Sequence, residues 1–138
     1  MTARALSIYL GRNAARRIAD QGWSGRDVSL LLGASGGPKW LILGQLDRLL
    51  FGHFLMQDRT NALQALGSSI GSWRHACLAQ SDPVAALDRF EDIYINWEYS
   101  ERPDTQEISA ASISMLGHIF GETGAEQLIN HPLLNSYV

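Results

Sequence analysis

The sequence predicts an α/β protein of the three-layer α/β/α type, in which helices pack on a parallel sheet. Two short apolar runs, residues 28–32 and 62–66, have the length and composition of buried strands. Each run leads into a glycine-rich turn, and each turn leads into a stretch with helical character. The chain therefore contains two successive units of strand, turn and helix, an order typical of a parallel sheet.

The N-terminal third of the chain is predicted to contain a helix, a strand and a second helix. Residues 8–21 have helical character, and Gly22 fits the C-terminal cap of that helix. The strand at 28–32 follows after a short polar turn. Apolar residues then recur with a helical period over 41–51. Pro38 fits the first turn of this second helix, because its missing N–H would have been unpaired there.

The chain after the second turn is predicted to be largely helical. A helix over residues 72–79 comes first, and Asp82 with Pro83 then marks the start of another helix. That helix is amphipathic, and its aromatic stripe is more typical of a core than of a lipid site. Two further helices, and a last segment with the character of a strand, follow at residues 108–120, 122–129 and 131–138.

Residues 67–71 have the form Gly-x-Ser-x-Gly, with Ser69 at the centre. A predicted strand leads into the pattern and a predicted helix leads out of it, which is the context of a nucleophile elbow. The turn is so sharp that only small residues, here Gly67 and Gly71, fit beside the serine. The hydroxyl then stands at the N-terminus of a helix, where free N–H groups favour negative charge. The pattern therefore predicts a serine nucleophile.

Three kinds of chemistry could use the first glycine-rich turn, residues 33–40. A P-loop needs a second glycine and a hydroxyl residue, and here Pro38 and Trp40 occupy these positions. A dinucleotide-binding turn needs Gly-x-Gly-x-x-Gly, which is absent. An oxyanion hole needs backbone N–H donors on a tight turn, and Gly36 and Gly37 can supply them. The alternative is a strand-to-helix turn that binds no ligand.

Residues 35–39, Ser-Gly-Gly-Pro-Lys, resemble the oxyanion motif Gly-Gly-Gly-x-Arg/Lys-Gly of the patatin-like phospholipases. The Gly-x-Ser-x-Gly pattern comes one βα unit later, about where that family has its nucleophile. The resemblance covers residues 28–80. Two positions depart from the family motif, because Ser35 and Trp40 stand where the family has glycine. These side chains could reshape the oxyanion pocket or narrow the access of substrate.

The resemblance implies a serine acyl hydrolase that cleaves ester bonds in lipids through a Ser–Asp dyad. Ser69 would be the nucleophile, Gly36 and Gly37 would donate to the oxyanion, and Lys39 would support their turn. In the family, the aspartate that accepts the serine proton lies within Asp-Gly-Gly or Asp-Gly-Ala. The dyad mechanism implies a lipid or acyl ester substrate, with no metal and no organic cofactor.

The base of this dyad is missing from the sequence, because no aspartate in the chain is followed by glycine. We therefore expect residues 1–138 to be the N-terminal part of one patatin-like domain that continues further, with a helical insert after the elbow. A stop codon directly after residue 138 would contradict this expectation. In the family, such helices shape the acyl pocket, a role that would fall here to Phe90, Tyr94 and Trp97.

Two other functions stay open. A Ser–His–Asp triad could take its remaining members from Asp88, Asp92, Asp104, His118 and His131. Several strands precede the elbow in α/β-hydrolases, however, whereas only one clear strand precedes the elbow's own strand here. The other option is a catalytically silent domain that keeps the fold and binds a lipid or a protein.

Composition sets further bounds on function. The chain has 138 residues, 46% of them hydrophobic and 18% charged, as expected of one globular domain or part of one. Its net charge of −3 argues against a nucleic-acid partner, because phosphate binding needs a basic surface. A single cysteine, Cys77, excludes an internal disulfide and is expected to be buried. His75, on the same helix, is expected to be a surface or partly buried structural residue.

The sequence shows neither a membrane-spanning run nor a proper signal peptide. We therefore expect a cytoplasmic protein. Arg12, Arg16 and Arg17 cluster on the N-terminal helix and would permit a peripheral contact with a lipid surface. A solvated helix face is the simpler account of these arginines.

Overall fold

Three parallel strands form the sheet, in the order β1-β2-β3. The structure is a computed structural model and describes residues 7–138. The strands are Leu30–Gly33 (β1), Leu63–Gly67 (β2) and Leu134–Tyr137 (β3). β2 is the central strand and pairs in parallel with both neighbours. The protein is therefore an α/β protein with a parallel sheet, as the sequence predicts.

The described part of the chain forms six α-helices. They are Arg12–Gln21 (α1), Gly44–Leu49 (α2), Ile70–Leu78 (α3), Pro83–Asn96 (α4), Thr105–Phe120 (α5) and Gly124–Ile129 (α6). A 3-10 segment, Gly37–Leu43, precedes α2, and a π-helical segment, Leu50–Phe54, follows it. Helical structure thus connects β1 to β2, and α3 to α6 connect β2 to β3. Over residues 7–138, no helix has both the length and the apolar character that crossing a membrane requires.

Aspartate caps explain where the two longest helices begin. The Asp82 side chain accepts a hydrogen bond from the Ala85 N–H at 2.9 Å, and Pro83 occupies the first turn of α4. The Asp104 side chain accepts one from the Glu107 N–H at 2.8 Å at the start of α5. Each carboxylate satisfies an N–H that the helix itself leaves unpaired. The start of α4 predicted from the sequence is confirmed.

Helix α3 packs against all three strands on one face of the sheet. Side chains of that face, such as Leu63 and Leu134, are buried. On the opposite face, Leu32 is aligned with Leu66 and Leu66 with Tyr137, and these three side chains are 67%, 47% and 52% exposed. Helices of the described region therefore leave an apolar row open on the second face of the sheet.

The core lies between α3, α4 and the helical region 37–54. Trp40 stacks on Phe90 with ring centroids 4.3 Å apart, and Tyr94 meets both rings edge-on. Phe90 is fully buried, so this part of the aromatic stripe belongs to the core. Stacked and edge-on aromatic pairs add about 0.5–1.5 kcal/mol each beyond the area that they bury. These contacts attach α4 to the segment that follows the first turn.

Several helix boundaries differ from those predicted. The helix predicted over 41–51 is divided into a 3-10 segment, α2 and a π-helical segment, α5 begins at Thr105 rather than at residue 108, and α6 begins at Gly124 rather than at residue 122. α1 begins at Arg12 rather than at residue 8, because Gly11 is extended and acts as its N-cap. α3 begins at Ile70 rather than at residue 72, directly after Ser69. The predicted last strand is present as β3, and the predicted helical insert after the elbow is present as α4 to α6.

Candidate functional site

Ser69 lies between β2 and α3 in a strained backbone conformation. Its φ is 52° and its ψ is −125°. This combination lies outside the β region and outside both the right-handed and the left-handed helical regions. Besides Ser69, Asp58 is the one non-glycine residue with positive φ within residues 7–138. Such a conformation costs about 1–3 kcal/mol and persists only where the surroundings impose it. The residue is exposed and is the N-cap of α3, so its hydroxyl is accessible at a helix N-terminus.

Close packing around Ser69 accounts for the two flanking glycines. A Cβ at Gly71 would overlap the carbonyl group of Gly33 at the end of β1. A Cβ at Gly67 would lie 2.6 Å from the backbone N of Ser72, closer than real Cβ atoms come. Strand, turn and helix therefore fold back on one another without space for larger residues. This is the steric situation that a nucleophile elbow requires.

A cavity of about 500 Å³ contains Ser69. It lies at the carboxyl ends of β1 and β2, the edge at which parallel α/β sheets commonly bind ligands. Its lining is mainly apolar and consists of Leu32, Gly33, Ala34, Leu66, Gly67, Ser68, Ser69 and Val138. The serine hydroxyl is thus set in an apolar surface, within a cavity whose volume is in the range of small-molecule binding sites.

Only the first residues of the first glycine-rich turn line this cavity. Gly33 and Ala34 line the cavity beside Ser69, whereas Gly36 and Gly37 do not. These two glycines lie where the 3-10 segment begins, and Gly37 adopts a φ of 53° that favours glycine. The Lys39 side chain is exposed, and its backbone N–H donates to the Gly36 carbonyl at 3.3 Å. The structure thus groups Gly33 and Ala34 with the serine, although no local pattern in the sequence marks these two residues.

His75 is buried beside the elbow, which corrects the expectation of a surface or partly buried residue. It lies on α3, is 1% exposed, and its ring is packed against Gly33. Burial, and then the charge of Arg74, lower the pKa of His75 from 6.5 to about 4. The imidazole is therefore neutral at pH 7. The sequence places His75 six positions after Ser69 but gives no sign that its ring is buried against Gly33.

The low pKa of His75 predicts a loss of stability in mild acid. Between pH 6.5 and pH 4 the unfolded chain takes up a proton that the folded protein excludes, so the free energy of unfolding falls as the pH falls. A shift of this size corresponds to about 3 kcal/mol. Urea unfolding at pH 7 and pH 4 measures the loss, and His75→Phe is the control because it removes the titrating group. Equal losses in both proteins would contradict the prediction.

A buried ion pair attaches the elbow helix to α2. The Arg74 guanidinium donates through Nε and Nη2 to the two carboxylate oxygens of Asp47, at 2.6 and 2.5 Å. Asp47 is 1% exposed. Because Arg74 lies in the middle of α3, this pair sets how α3, and with it Ser69, is oriented relative to α2.

The candidate members of a Ser–His–Asp triad lie elsewhere. His131 accepts a hydrogen bond from the Leu133 N–H and lines a different cavity. His118 is exposed in the last turn of α5, and Asp88 is bound to Arg48. Among residues 7–138, no aspartate and no histidine lines the cavity of Ser69.

Cys77 is fully buried, as predicted, and burial raises the pKa of its thiol. Such a thiol is a poor nucleophile, because the thiolate is the reactive form. In the described part of the chain, no group of three or more His, Cys, Asp or Glu side chains is arranged to hold a metal ion.

Comparison with protein-family models, with curated proteins and with solved structures gave no match for this chain. Any function assigned to it therefore depends on its residues and their geometry. The strongest features are the strained serine between a strand and a helix, and the apolar cavity in which it lies.

Proposed function

We propose that this chain carries the nucleophile of a serine acyl hydrolase that cleaves ester bonds in lipids, within a patatin-like fold. The observation that carries the proposal is the backbone of Ser69, at a φ of 52° and a ψ of −125° between β2 and α3. Strain of this kind concentrates at functional sites, where it holds a reactive group in a set direction. The glycine contacts on both sides of the serine support the same interpretation.

In the proposed reaction, the Ser69 hydroxyl attacks the carbonyl carbon of an ester. The serine proton passes to a base, the base returns it to the leaving alkoxide as the bond to the alcohol breaks, and the acyl group stays on Ser69 as an ester. Water then attacks this acyl-enzyme and releases the fatty acid. The negative charge on the carbonyl oxygen would be stabilised by N–H groups of the first turn, with Gly36 and Gly37 as the proposed donors, and by the N-terminus of α3.

We propose that the base is an aspartate that follows residue 138, in a continuation of the same domain. The support for this is that no aspartate or histidine of residues 7–138 lines the cavity of Ser69. Residues 1–138 alone would then lack activity.

A lipid substrate is favoured by the lining of the cavity. Leu32, Leu66 and Val138 line the same cavity as Ser69, so a hydrocarbon chain attached to the reacting carbonyl would contact apolar groups there. Each methylene that is buried there contributes about 0.8 kcal/mol. A long-chain ester should therefore bind more tightly than acetate esters, and the acyl part should carry the specificity.

Labelling with a fluorophosphonate tests the proposal. This reagent phosphonylates only serines that are activated as nucleophiles, with loss of fluoride. The complete gene product is treated with it, and the modified residue is mapped by mass spectrometry. We expect the label on Ser69 and on no other serine, because Ser69 alone has the strained elbow geometry among the serines of residues 7–138.

Two controls make the result interpretable. Ser69→Ala should abolish the label, and circular dichroism of the treated protein should show that it is folded. If the folded gene product takes up no label, the proposal fails and a silent domain that binds lipid or protein becomes the better account. If the label is on another serine, the elbow assignment is wrong although the enzyme class stands.

A further inference from the structure

We infer that His75 is a positioning residue, which holds the end of β1 and the first turn against the nucleophile turn. This inference rests on the proposed function, since it concerns the same site. The contact that carries it is between the His75 ring and Gly33. A Cβ at Gly33 would lie 2.7 Å from Cε1 and 2.8 Å from Nε2 of the ring, so the imidazole fills the space that a side chain there would need.

Three groups of the elbow unit meet at Gly33. The Ser68 N–H donates to its carbonyl oxygen at 2.9 Å. The backbone of Gly71 lies so close to that carbonyl that a Cβ at Gly71 would overlap it. The His75 ring supports Gly33 from the direction of α3. Gly33 is thus enclosed by residues that come before and after Ser69, and the ring completes the enclosure.

The consequence for catalysis follows from the position of Gly33 in the chain. It is the last residue of β1 and leads directly into the turn that carries the proposed oxyanion donors. Such donors act only when they lie about 2.7–3.1 Å from the developing oxyanion. A displacement of about 1 Å lowers the rate by about 100-fold, even when it arises away from the reacting atoms. On this inference, the ring sets where the donors lie relative to the carbonyl oxygen of an ester that reacts with Ser69.

The shape of the His75 ring, rather than its polarity, makes this contact. Nδ1 is buried and has no hydrogen-bond partner within residues 7–138. The ring is also neutral at pH 7, as its burial requires. A flat apolar ring should therefore support Gly33 as well as the imidazole does, whereas a methyl group should leave a gap into which the end of β1 can move.

The experiment compares His75→Ala, His75→Phe and the exposed control His118→Ala in the complete gene product. For each protein, kcat and KM are measured with a p-nitrophenyl ester of a medium-chain fatty acid at pH 7.5, together with thermal unfolding. We expect His75→Ala to lower kcat by about 10- to 100-fold with KM changed less than about 3-fold, because misplaced donors affect the transition state. His75→Phe should restore kcat to within about 3-fold of the wild type, and His118→Ala should behave as the wild type.

The results separate this inference from the proposed function. If the wild type hydrolyses the ester and folded His75→Ala does so equally well, the inference is wrong and the function stands. If the wild type neither hydrolyses esters nor takes up the label, both fail. Should His75→Ala not fold, Gly33→Ala replaces it, since its Cβ would lie 2.7 Å from the ring and 2.9 Å from the Gly71 carbonyl oxygen, so that the end of β1 has to move. A folded Gly33→Ala with unchanged kcat would also overturn the inference.

Discussion

Replacement of Ser69 by alanine is expected to lower kcat for ester hydrolysis by about 10⁴-fold or more, with little change in the free energy of unfolding. The reason is that no other serine of the described residues lies at positive φ at the start of a helix, so no neighbour can replace its hydroxyl. The matched control is Ser109→Ala. Ser109 is an exposed serine of α5 outside the cavity, and this variant should keep kcat within about 3-fold.

The same position gives a test of the elbow that does not depend on activity. Glycine adopts positive φ without the steric cost that a Cβ brings. Ser69→Gly should therefore unfold with a free energy about 1–3 kcal/mol higher than Ser69→Ala, although both variants are inactive. Urea unfolding of the two variants measures this difference. Equal stabilities would show that the backbone at residue 69 is not strained.

The strands and the elbow could be predicted because their signals are local. A short apolar run, a turn of small residues and a helical period lie next to one another in the sequence, and each sets the backbone within a few residues. β1, β2 and α3 accordingly lie within about two residues of their predicted positions. The cap formed by Asp82 and Pro83 is local in the same way.

The parts that could not be predicted depend on which distant residues meet. Gly33 was assigned no role from the sequence, because its contact with His75 exists only once α3 has packed on β1. Asp47 and Arg74 are 27 positions apart, and nothing local marks them as partners. The sequence also could not show that Ala34, rather than Gly36 or Gly37, would line the cavity beside Ser69, since this depends on the path of the turn.

Removal of the Asp47 carboxylate is expected to have the largest effect on stability. Asp47→Ala should lower the free energy of unfolding by about 3–5 kcal/mol, because it leaves the Arg74 guanidinium without its partner in a mostly buried place. The double variant Asp47→Leu/Arg74→Met should recover most of this loss, since two apolar side chains need no partner there. Urea unfolding at pH 7 measures the free energy of unfolding of the wild type and of both variants.

The neighbouring pair of Arg48 with Asp88 provides the control for this effect. Its carboxylate is 59% exposed, against 2% for that of Asp47, although both arginines contact their partners at similar distances. Arg48 keeps Glu91 as a partner at 2.6 Å, and water can reach the place of the exposed Asp88 carboxylate, so Asp88→Ala should cost less than about 1 kcal/mol. Equal losses from Asp47→Ala and Asp88→Ala would mean that burial does not determine the strength of the first pair. A large loss confined to Asp47 would instead show that the attachment of α3 to α2 depends on this buried contact.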